Sequence, residues 1–216
     1  MLRVVETFAS IQGESTRAGE VCFFIRLAGC NLACSYCDTR YANDTGAGRE
    51  FSVDALVEAA RDARIPLVEV TGGEPLLQPE TPELCRRLLS EGFTVLVETN
   101  GSQPIDRLPE GTHAIMDIKM PGSTMHGHFL EANLDLLRPG DEVKFVLSGR
   151  ADYEYALRMI REYRIESRAK GVTLLFGAVA GMLSPARLAE WLVADRVPAR
   201  FQIQLHKLLW GDKRGV

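Results

Sequence analysis

The feature that most constrains this chain is a loop with three cysteines, which follows an apolar run at residues 21–27. Cys30, Cys34 and Cys37 have the spacing Cys-x3-Cys-x2-Cys. Thiolates this close together suit a soft metal centre, and cysteine sulfur is the usual ligand of iron–sulfur clusters. A [4Fe-4S] cluster has four irons, so three protein ligands leave one iron open, which implies chemistry at the cluster. The loop therefore predicts a [4Fe-4S] cluster on these three cysteines.

Two other interpretations of the loop remain open. A structural zinc ion, which would make the chain a zinc-stabilised binding module instead of an enzyme, would need a fourth ligand from far along the chain. Cys34 and Cys37 alone could form a dithiol redox pair, which leaves Cys30 without a role. The candidates for a fourth zinc ligand are Cys22, Cys85, His113, His126 and His128, although the apolar neighbours of Cys22 and Cys85 predict core positions for both.

Length and charge narrow the class of protein. The chain has 216 residues and a formal net charge of −4. This length suffices for one well-buried α/β domain, so we expect a single domain over residues 1–216. The slight acidity argues against a nucleic-acid partner and favours a small-molecule substrate. No stretch reads as a signal peptide or a membrane span, and the odd count of five cysteines fits a reducing compartment, so we expect a cytoplasmic protein without a membrane partner.

Strand and helix signals alternate along the chain, which predicts a parallel sheet with right-handed crossovers. Four helices are predicted, at residues 52–61 with Ser52 as N-cap, 81–90 with Thr81 as cap, 152–164, and 184–194 with Ser184 as cap. A glycine-rich stretch at residues 43–48 precedes the first of them. Strands are predicted at residues 4–8, 21–27, 67–70, 94–98, 114–118, 142–147, 172–176 and 200–205.

Polar side chains collect where these strands end, and in barrel folds that rim carries function. A complete eight-stranded barrel usually needs about 250 residues. The shorter chain therefore predicts a partial, open TIM-like α/β barrel with parallel strands. The polar residues at the strand ends are Thr71, Glu74, Glu98, Asn100, Asp117, Lys119, Lys144, Ser148, Gln204 and His206.

A charge inside an apolar strand marks a binding position. Arg26 interrupts the run at residues 21–27 and is expensive to bury unless it pairs with an anion, either a partner carboxylate or a ligand. The turn Gln12-Gly13-Glu14 adds a carboxamide and a carboxylate. Together these groups suit a flat heterocycle that carries N–H groups and a carboxylate. The alternative is a polar hairpin turn with a salt bridge.

Three further segments point to ligand binding. The paired glycines Gly72 and Gly73 allow a ligand close to the backbone. Thr39 offers an oxygen to a hard cation such as Mg2+. Trp210 is unfavourable in water, so we expect the tail to pack back and bring His206 and the Val216 carboxylate toward the rim.

These motifs resemble a known family. The cysteine loop, with Tyr36 before its third cysteine, and Gly72-Gly73-Glu74-Pro75 resemble the radical S-adenosylmethionine (SAM) superfamily. The chain also resembles the 7-carboxy-7-deazaguanine synthase family over nearly its whole length. The segments that carry this second resemblance are Gln12-Gly13-Glu14, Arg26, Cys37-Asp38-Thr39, Thr71 to Pro75, and the ending with Gln204 to Lys207, Trp210-Gly211 and Arg214-Gly215-Val216.

The resemblance implies a lyase of queuosine and 7-deazapurine biosynthesis that converts 6-carboxy-5,6,7,8-tetrahydropterin to 7-carboxy-7-deazaguanine with loss of ammonia. SAM and the cluster carry the radical chemistry, with hydrogen taken from C6 of the substrate, and no side chain is expected as a catalyst. The resemblance also implies Mg2+ at Thr39, a flavodoxin-like or ferredoxin-like electron donor, and a homodimer. Its substrate-binding residues are Ile11, Gln12, Gly13, Glu14, Arg26, Thr71, His206 and Val216, and its SAM-binding residues are Tyr36, Cys37, Asp38, Gly73, Glu74, Asp117, Ile118 and Lys119.

One alternative function remains open, and the sequence departs from the family pattern at two places. A radical SAM activase that acts on a glycyl-radical protein shares the cluster, but that task does not explain Gln12, Glu14 and Arg26. Ser15 stands where the family commonly has a second glycine. Residues 174–180 are less polar than an adenosine-contacting loop should be, so no site residue is predicted there.

Overall fold

The computed structural model describes residues 1–216 as one nine-stranded sheet with helices packed on it. The strands are β1 Leu2–Ile11, β2 Val21–Leu27, β3 Arg49–Phe51, β4 Leu67–Gly72, β5 Thr94–Thr99, β6 Thr112–Asp117, β7 Glu142–Leu147, β8 Thr173–Ala178 and β9 Arg200–Gln202. The helices are α1 Val53–Ala63, α2 Thr81–Ser90, α3 Asn133–Leu136, α4 Arg150–Glu162, α5 Ile165–Arg168, α6 Pro185–Asp195 and α7 Leu205–Trp210. None of these helices is long and apolar enough to cross a bilayer.

The strands lie in the order β3-β1-β2-β4-β5-β6-β7-β8-β9. All neighbours from β2 to β9 are parallel, whereas β1 is antiparallel to both β2 and β3. The expectation of a parallel sheet is therefore wrong at this edge. Only residues 12–20 join β1 to β2, and a parallel crossover needs a dozen or more residues.

The sheet is curled into an open barrel, as predicted. In a flat sheet, β1 and β9 would be seven strand spacings apart, or roughly 34 Å. The backbone N–H of Ser15, in the loop after β1, nevertheless donates to Oε1 of Gln202 on β9 at 2.9 Å. No strand pairing closes this gap. The β1–β2 loop bridges it instead, which places residues 12–16 inside the curve.

The two faces of the curled sheet have different chemistry. The convex face and the helices share the main hydrophobic core, in which the largest buried side chains include Phe145, Tyr153 and Phe176. The concave face begins with a small apolar layer that includes Phe24 and Leu96. Polar side chains follow this layer toward the carboxyl ends of the strands. Cys22 and Cys85 are both fully buried, as expected.

Most predicted elements are confirmed, with two corrections at their ends and one strand that was missed. Ser52 caps α1 by accepting from the N–H of Ala55 at 3.1 Å. Thr81 is not a cap but the first residue of α2, and its hydroxyl donates to the carbonyl of Pro75. Strand β9 ends at Gln202 rather than at residue 205, because the chain turns there into α7. The short β3, which directly follows the glycine-rich stretch, was not predicted, and it pairs with residues 2–4.

Candidate active site

A cavity of about 670 Å³ opens on the concave face, within the range of small-molecule sites. The cysteine loop, the carboxyl ends of the inner strands, the β1–β2 loop and the tail all line it. Glu74 and Ile118 are the two predicted site residues outside its wall. The predicted residues that line it are Ile11, Gln12, Gly13, Glu14, Arg26, Cys30, Cys34, Tyr36, Cys37, Asp38, Thr39, Thr71, Gly73, Asp117, Lys119, His206 and Val216.

Hydrogen bonds to the rest of the fold hold the cysteine loop at the mouth of the barrel. The N–H of Cys30 donates to the carbonyl of Asn43 at 3.1 Å, and the N–H of Ser35 donates to the carbonyl of Ser123 at 2.9 Å. The hydroxyl of Tyr36 donates to the carbonyl of Val146 on β7 at 3.0 Å. These contacts bring the three thiols to one wall of the cavity.

The thiols fit a cluster better than they fit a single ion. No three His, Cys, Asp or Glu side chains converge on a point where they could hold one metal ion. Zinc requires such convergence of four ligands, whereas an iron–sulfur cluster spreads its cysteines over separate irons. The N–H of Leu32 points at Sγ of Cys30 at 3.4 Å, a contact that suits a cluster thiolate. Burial raises the pKa of Cys30 and of Cys34.

Thr39 also lies at this wall, with its hydroxyl 3.8 Å from Sγ of Cys37. Asn100 lies on the opposite side of the loop, and its side-chain amide donates to Asn31 at 3.2 Å and approaches Sγ of Cys30 at 3.9 Å. Both residues therefore contact the cysteine loop from the cavity. Ser148 does not line the cavity, because its hydroxyl and N–H both donate to Asp152.

Gly72, which ends β4, and the next residue Gly73 pack against the backbone that leads into the cysteine loop. A Cβ at Gly73 would collide with the carbonyl oxygen of Gly29, so only glycine fits. Glu74 turns away from the cavity and is fully buried. Its carboxylate accepts from the N–H of Leu76, the hydroxyl of Thr99 and the N–H of Asn100. Burial raises the pKa of Glu74, although these hydrogen bonds act in the opposite direction. In this structure the carboxylate of Glu74 thus pairs with the backbone and hydroxyl groups around it.

The base of the cavity contains a group of buried charges, here called the lysine network and defined as Glu14, Glu98, Asp117 and Lys144. The ammonium of Lys144 donates to Glu14 at 2.5 Å and to Glu98, and lies 3.7 Å from Asp117. Burial alone would lower the pKa of Lys144, but the three carboxylates raise it well above its usual value. Lys119 adds a second cation, 2.8 Å from Asp117.

Gln12 lines the cavity, and its carboxamide makes two hydrogen bonds within the chain. Its Nε2 donates to Glu69, and its Oε1 accepts from the N–H of Glu14 at 2.8 Å. Burial, and then the charge of Glu98, raise the pKa of Glu69 well above its ordinary range. Sequence reasoning missed Glu69, although the signal was the same as for Arg26, namely a charge inside an apolar strand.

Arg26 pairs with a carboxylate, which is the first of the two roles predicted for it. Its Nε donates to Glu6 at 2.9 Å, and Glu6 also accepts from the hydroxyl of Tyr41 at 2.6 Å. The two terminal amino groups of Arg26 make no hydrogen bond within the chain, and the side chain faces the cavity. Glu6 therefore orients a guanidinium that retains donors for an anionic ligand.

The tail packs back over the cavity, as predicted. The N–H of Leu205 donates to the carbonyl of Gly13 at 2.9 Å, and the imidazole of His206 lies so close to Gly13 that a Cβ there would collide with it. Nε2 of His206 is 3.7 Å from Asp38. Burial opposes ionisation of Asp38, but the nearby imidazole of His206 and the charge of Lys207 hold its pKa well below its usual range. The tail is thereby joined to the cysteine loop.

The remaining wall is apolar and was not predicted. It includes Val146 on β7 and, after β8, a short segment with Val179, Ala180 and Met182. This segment begins inside residues 174–180, where the sequence predicted no site residue because of its low polarity. Apolar side chains line most small-molecule sites, so low polarity alone was not evidence against a role.

Comparison with known proteins places the chain in a family. Residues 24–179 match the model of the Radical SAM superfamily. The 7-carboxy-7-deazaguanine synthase of Chlorobaculum tepidum is 43% identical over all of this chain and 97% of the relative. The 7-carboxy-7-deazaguanine synthase of Koribacter versatilis is 38% identical over 97% of each chain.

Solved structures show the same fold. The crystal structure of QueE from Escherichia coli superposes with a TM-score of 0.77 at 23% identity, covering 95% of this chain and 94% of that one. Streptococcus suis SuiB bound to S-adenosylmethionine gives a TM-score of 0.56 at 12% identity over 81% of this chain and 48% of that one. Given the full-length identity to the curated relatives, this chain belongs to the 7-carboxy-7-deazaguanine synthase family of the radical SAM superfamily.

Proposed function

We propose that this protein is a radical SAM lyase that converts 6-carboxy-5,6,7,8-tetrahydropterin to 7-carboxy-7-deazaguanine with loss of ammonia, in queuosine and 7-deazapurine biosynthesis. One observation carries the proposal: the cysteine loop and the polar set of Gln12, Glu14 and Arg26 line the same cavity. An activase for a glycyl-radical protein would not need this polar set. The names of the full-length relatives also favour the synthase.

The cofactor half of the cavity fits a cluster and SAM, which the superfamily implies. Cys30, Cys34 and Cys37 would hold the [4Fe-4S] cluster. SAM would lie beside it, and together they supply a radical that can take hydrogen from carbon. The residues proposed to contact SAM are Tyr36, Cys37, Asp38, Gly73, Asp117 and Lys119 at the cavity wall, together with Glu74 and Ile118, which lie directly behind it.

The other half of the cavity fits the pterin. The terminal amino groups of Arg26 are available to the substrate carboxylate in a two-pronged contact. Glu14 keeps free lone pairs for ring N–H groups, because each carboxylate oxygen can accept two hydrogen bonds. Phe8 and Phe24 stack at 5.0 Å and supply an apolar base for a flat ring. The other proposed substrate contacts are Ile11, Gln12, Gly13, Thr71, His206 and the Val216 carboxylate.

Further properties belong to the same proposal. Mg2+ would bind at Thr39, whose hydroxyl lies at the cavity wall, with substrate oxygens completing its shell. A flavodoxin-like or ferredoxin-like protein would supply the electron.

The five cysteines are all free thiols, which supports a cytoplasmic location, and residues 1–216 would act as one domain. Exposed apolar side chains at Val193, Leu208 and Leu209 on α6 and α7 support a homodimer.

The test is anaerobic purification followed by analysis of iron, sulfide and zinc, and then an assay with dithionite, SAM and the carboxytetrahydropterin. Mass spectrometry should detect 7-carboxy-7-deazaguanine and released ammonia, with and without added Mg2+. Protein that contains stoichiometric iron and sulfide but forms no deazapurine would contradict the substrate assignment. Protein with zinc and no sulfide would contradict the entire proposal.

A further inference from the structure

Lys144 lies at the centre of the charges beneath the cavity. Its side chain is only 4% exposed, and its ammonium is surrounded by carboxylates from three other elements. Glu14 comes from the β1–β2 loop, Glu98 from β5 and Asp117 from β6. The second oxygen of Glu14 accepts from the side-chain amide of Gln204 at 2.9 Å. Glu14 is therefore held at both oxygens, and Lys144 is the only cation that pairs with it.

The surroundings of Glu14 are rich in acids. Glu98, Asp117, Glu69 on β4 and Glu142 on β7 all lie on the concave face beside it. Arg26 and Lys119 line the cavity but pair with Glu6 and Asp117, and His206 of α7 pairs with Asp38. Buried carboxyl groups without a nearby cation take up protons, and burial already raises the pKa of Glu69 and of Glu142.

The protonation state of Glu14 decides what it can bind. An ionised carboxylate only accepts hydrogen bonds, whereas a protonated one also carries a donor. Rings with N–H groups need an acceptor at this position. The cation beside Glu14 thus controls whether the cavity recognises N–H donors.

We propose that Lys144 is a positioning and specificity-determining residue whose ammonium keeps Glu14 ionised and aimed into the cavity, so that the site accepts a heterocycle presenting N–H donors. This inference rests on the proposed function, because it assigns the N–H groups to the pterin. It assigns no chemical step to Lys144. The three carboxylates around the ammonium keep it protonated, so it acts as a fixed charge.

The first test measures pterin binding anaerobically, in the presence of SAM, between about pH 6 and pH 9. Wild type should bind with an affinity that is nearly independent of pH. Lys144→Met should bind roughly 30-fold more weakly at pH 7, the effect of truncating one partner of a buried charge pair, and its affinity should fall further as the pH falls. Lys144→Arg should keep the flat pH profile, and Lys170→Met, at an exposed lysine, should match wild type.

The second test needs no substrate. Carboxyl-carbon NMR of protein labelled at glutamate should show additional carboxyls that titrate between about pH 6 and pH 9 in Lys144→Met and not in wild type, because Glu14 and Glu98 both lose their cation. One of these resonances should be missing in the double variant with Glu14→Gln, which identifies it as Glu14. Circular dichroism establishes that each variant is folded.

The outcomes separate the two proposals. A folded Lys144→Met without the additional titration, or a folded Lys144→Arg with a pH-dependent affinity, overturns the role of Lys144. Wild type that fails to bind the pterin contradicts the proposed function, and the NMR titration still decides whether Lys144 sets the charge of Glu14.

Discussion

The cysteine loop and the lysine network face each other across one cavity, and they are built in different ways. The loop carries its three sulfur ligands within eight consecutive residues, and backbone hydrogen bonds hold it. The lysine network takes each member from a different element, and buried ion pairs hold it. A local motif can lose a side chain and keep its shape, whereas members of a buried network depend on one another. A substitution in the loop should therefore have a local effect, whereas a substitution in the lysine network should disturb its other members.

The largest effect is expected in the loop. Cys34→Ala removes one of three ligands, so iron and sulfide should fall to background and turnover should drop by more than about a thousandfold, because the cofactors carry the reaction. The backbone contacts of the loop do not involve this sulfur, so the circular dichroism spectrum should stay unchanged. An active Cys34→Ala protein would rule out the cluster assignment.

Arg26→Ala tests the opposite side of the cavity. It removes the donors proposed for the substrate carboxylate, so pterin affinity should fall roughly 30- to 100-fold. Iron content and SAM cleavage should persist, measured as iron per chain and as 5′-deoxyadenosine formed with dithionite. Glu6→Gln is the matched control, because it weakens the support of Arg26 and keeps its terminal donors. Unchanged pterin affinity in Arg26→Ala would refute the contact.

These two regions also differ in how far sequence alone predicts them. The spacing of Cys30, Cys34 and Cys37 is readable because every ligand is local, and Arg26 is readable because a charge interrupts an apolar strand. The pairing of Lys144 with Glu14 cannot be predicted from the sequence, because it depends on how far the sheet curls before the β1–β2 loop meets β7. Glu74 shows a further limit. A motif places a carboxylate in the right turn, but the backbone N–H groups nearby decide which way it points.

Substitutions at Glu69 test whether the side chains on the concave face depend on one another. Glu69→Leu removes the acceptor of the Gln12 amide, so the free energy of unfolding should fall by about 1–3 kcal/mol and substrate affinity should weaken with it. Glu69→Gln keeps an acceptor and should bind substrate almost normally. A stability loss in Glu69→Leu with unchanged affinity would show that Gln12 and Glu14 are placed independently of Glu69.

The pair of Glu69 variants also has a pH signature. The pKa of Glu69 is raised in the folded chain, so between the unfolded and the folded pKa the folded state binds a proton that the unfolded state has lost. The free energy of unfolding of wild type should therefore fall as the pH rises from the unfolded pKa of Glu69 toward its folded pKa. Glu69→Gln lacks this proton. The advantage of Glu69→Gln over wild type in urea unfolding should therefore grow between about pH 5 and pH 8. A constant difference would mean that Glu69 is not perturbed.

The smallest expected effect concerns Ser15, in the turn that carries Glu14. Its φ of 67° lies in the left-handed region, which suits the glycine that the resemblance to the family implies at this position. The left-handed conformation costs a serine about 1 kcal/mol, while its hydroxyl accepts from the N–H of Arg17 at 3.0 Å and recovers a similar amount. Ser15→Gly should lower the free energy of unfolding by about 0.5 kcal/mol, because the lost hydrogen bond and the added freedom of the unfolded chain together outweigh the relief of strain.

Ser15→Ala separates these terms, because it keeps the strain and loses the hydrogen bond, so it should be less stable than wild type by about 1 kcal/mol. Pterin affinity should be unchanged in both variants, since Lys144 and Gln204 hold Glu14 through its carboxylate. If Ser15→Gly weakened binding as strongly as Arg26→Ala, the turn itself would place Glu14. The contrast between a loop held by backbone and a network held by side chains would then be wrong at the residue that matters most for the substrate.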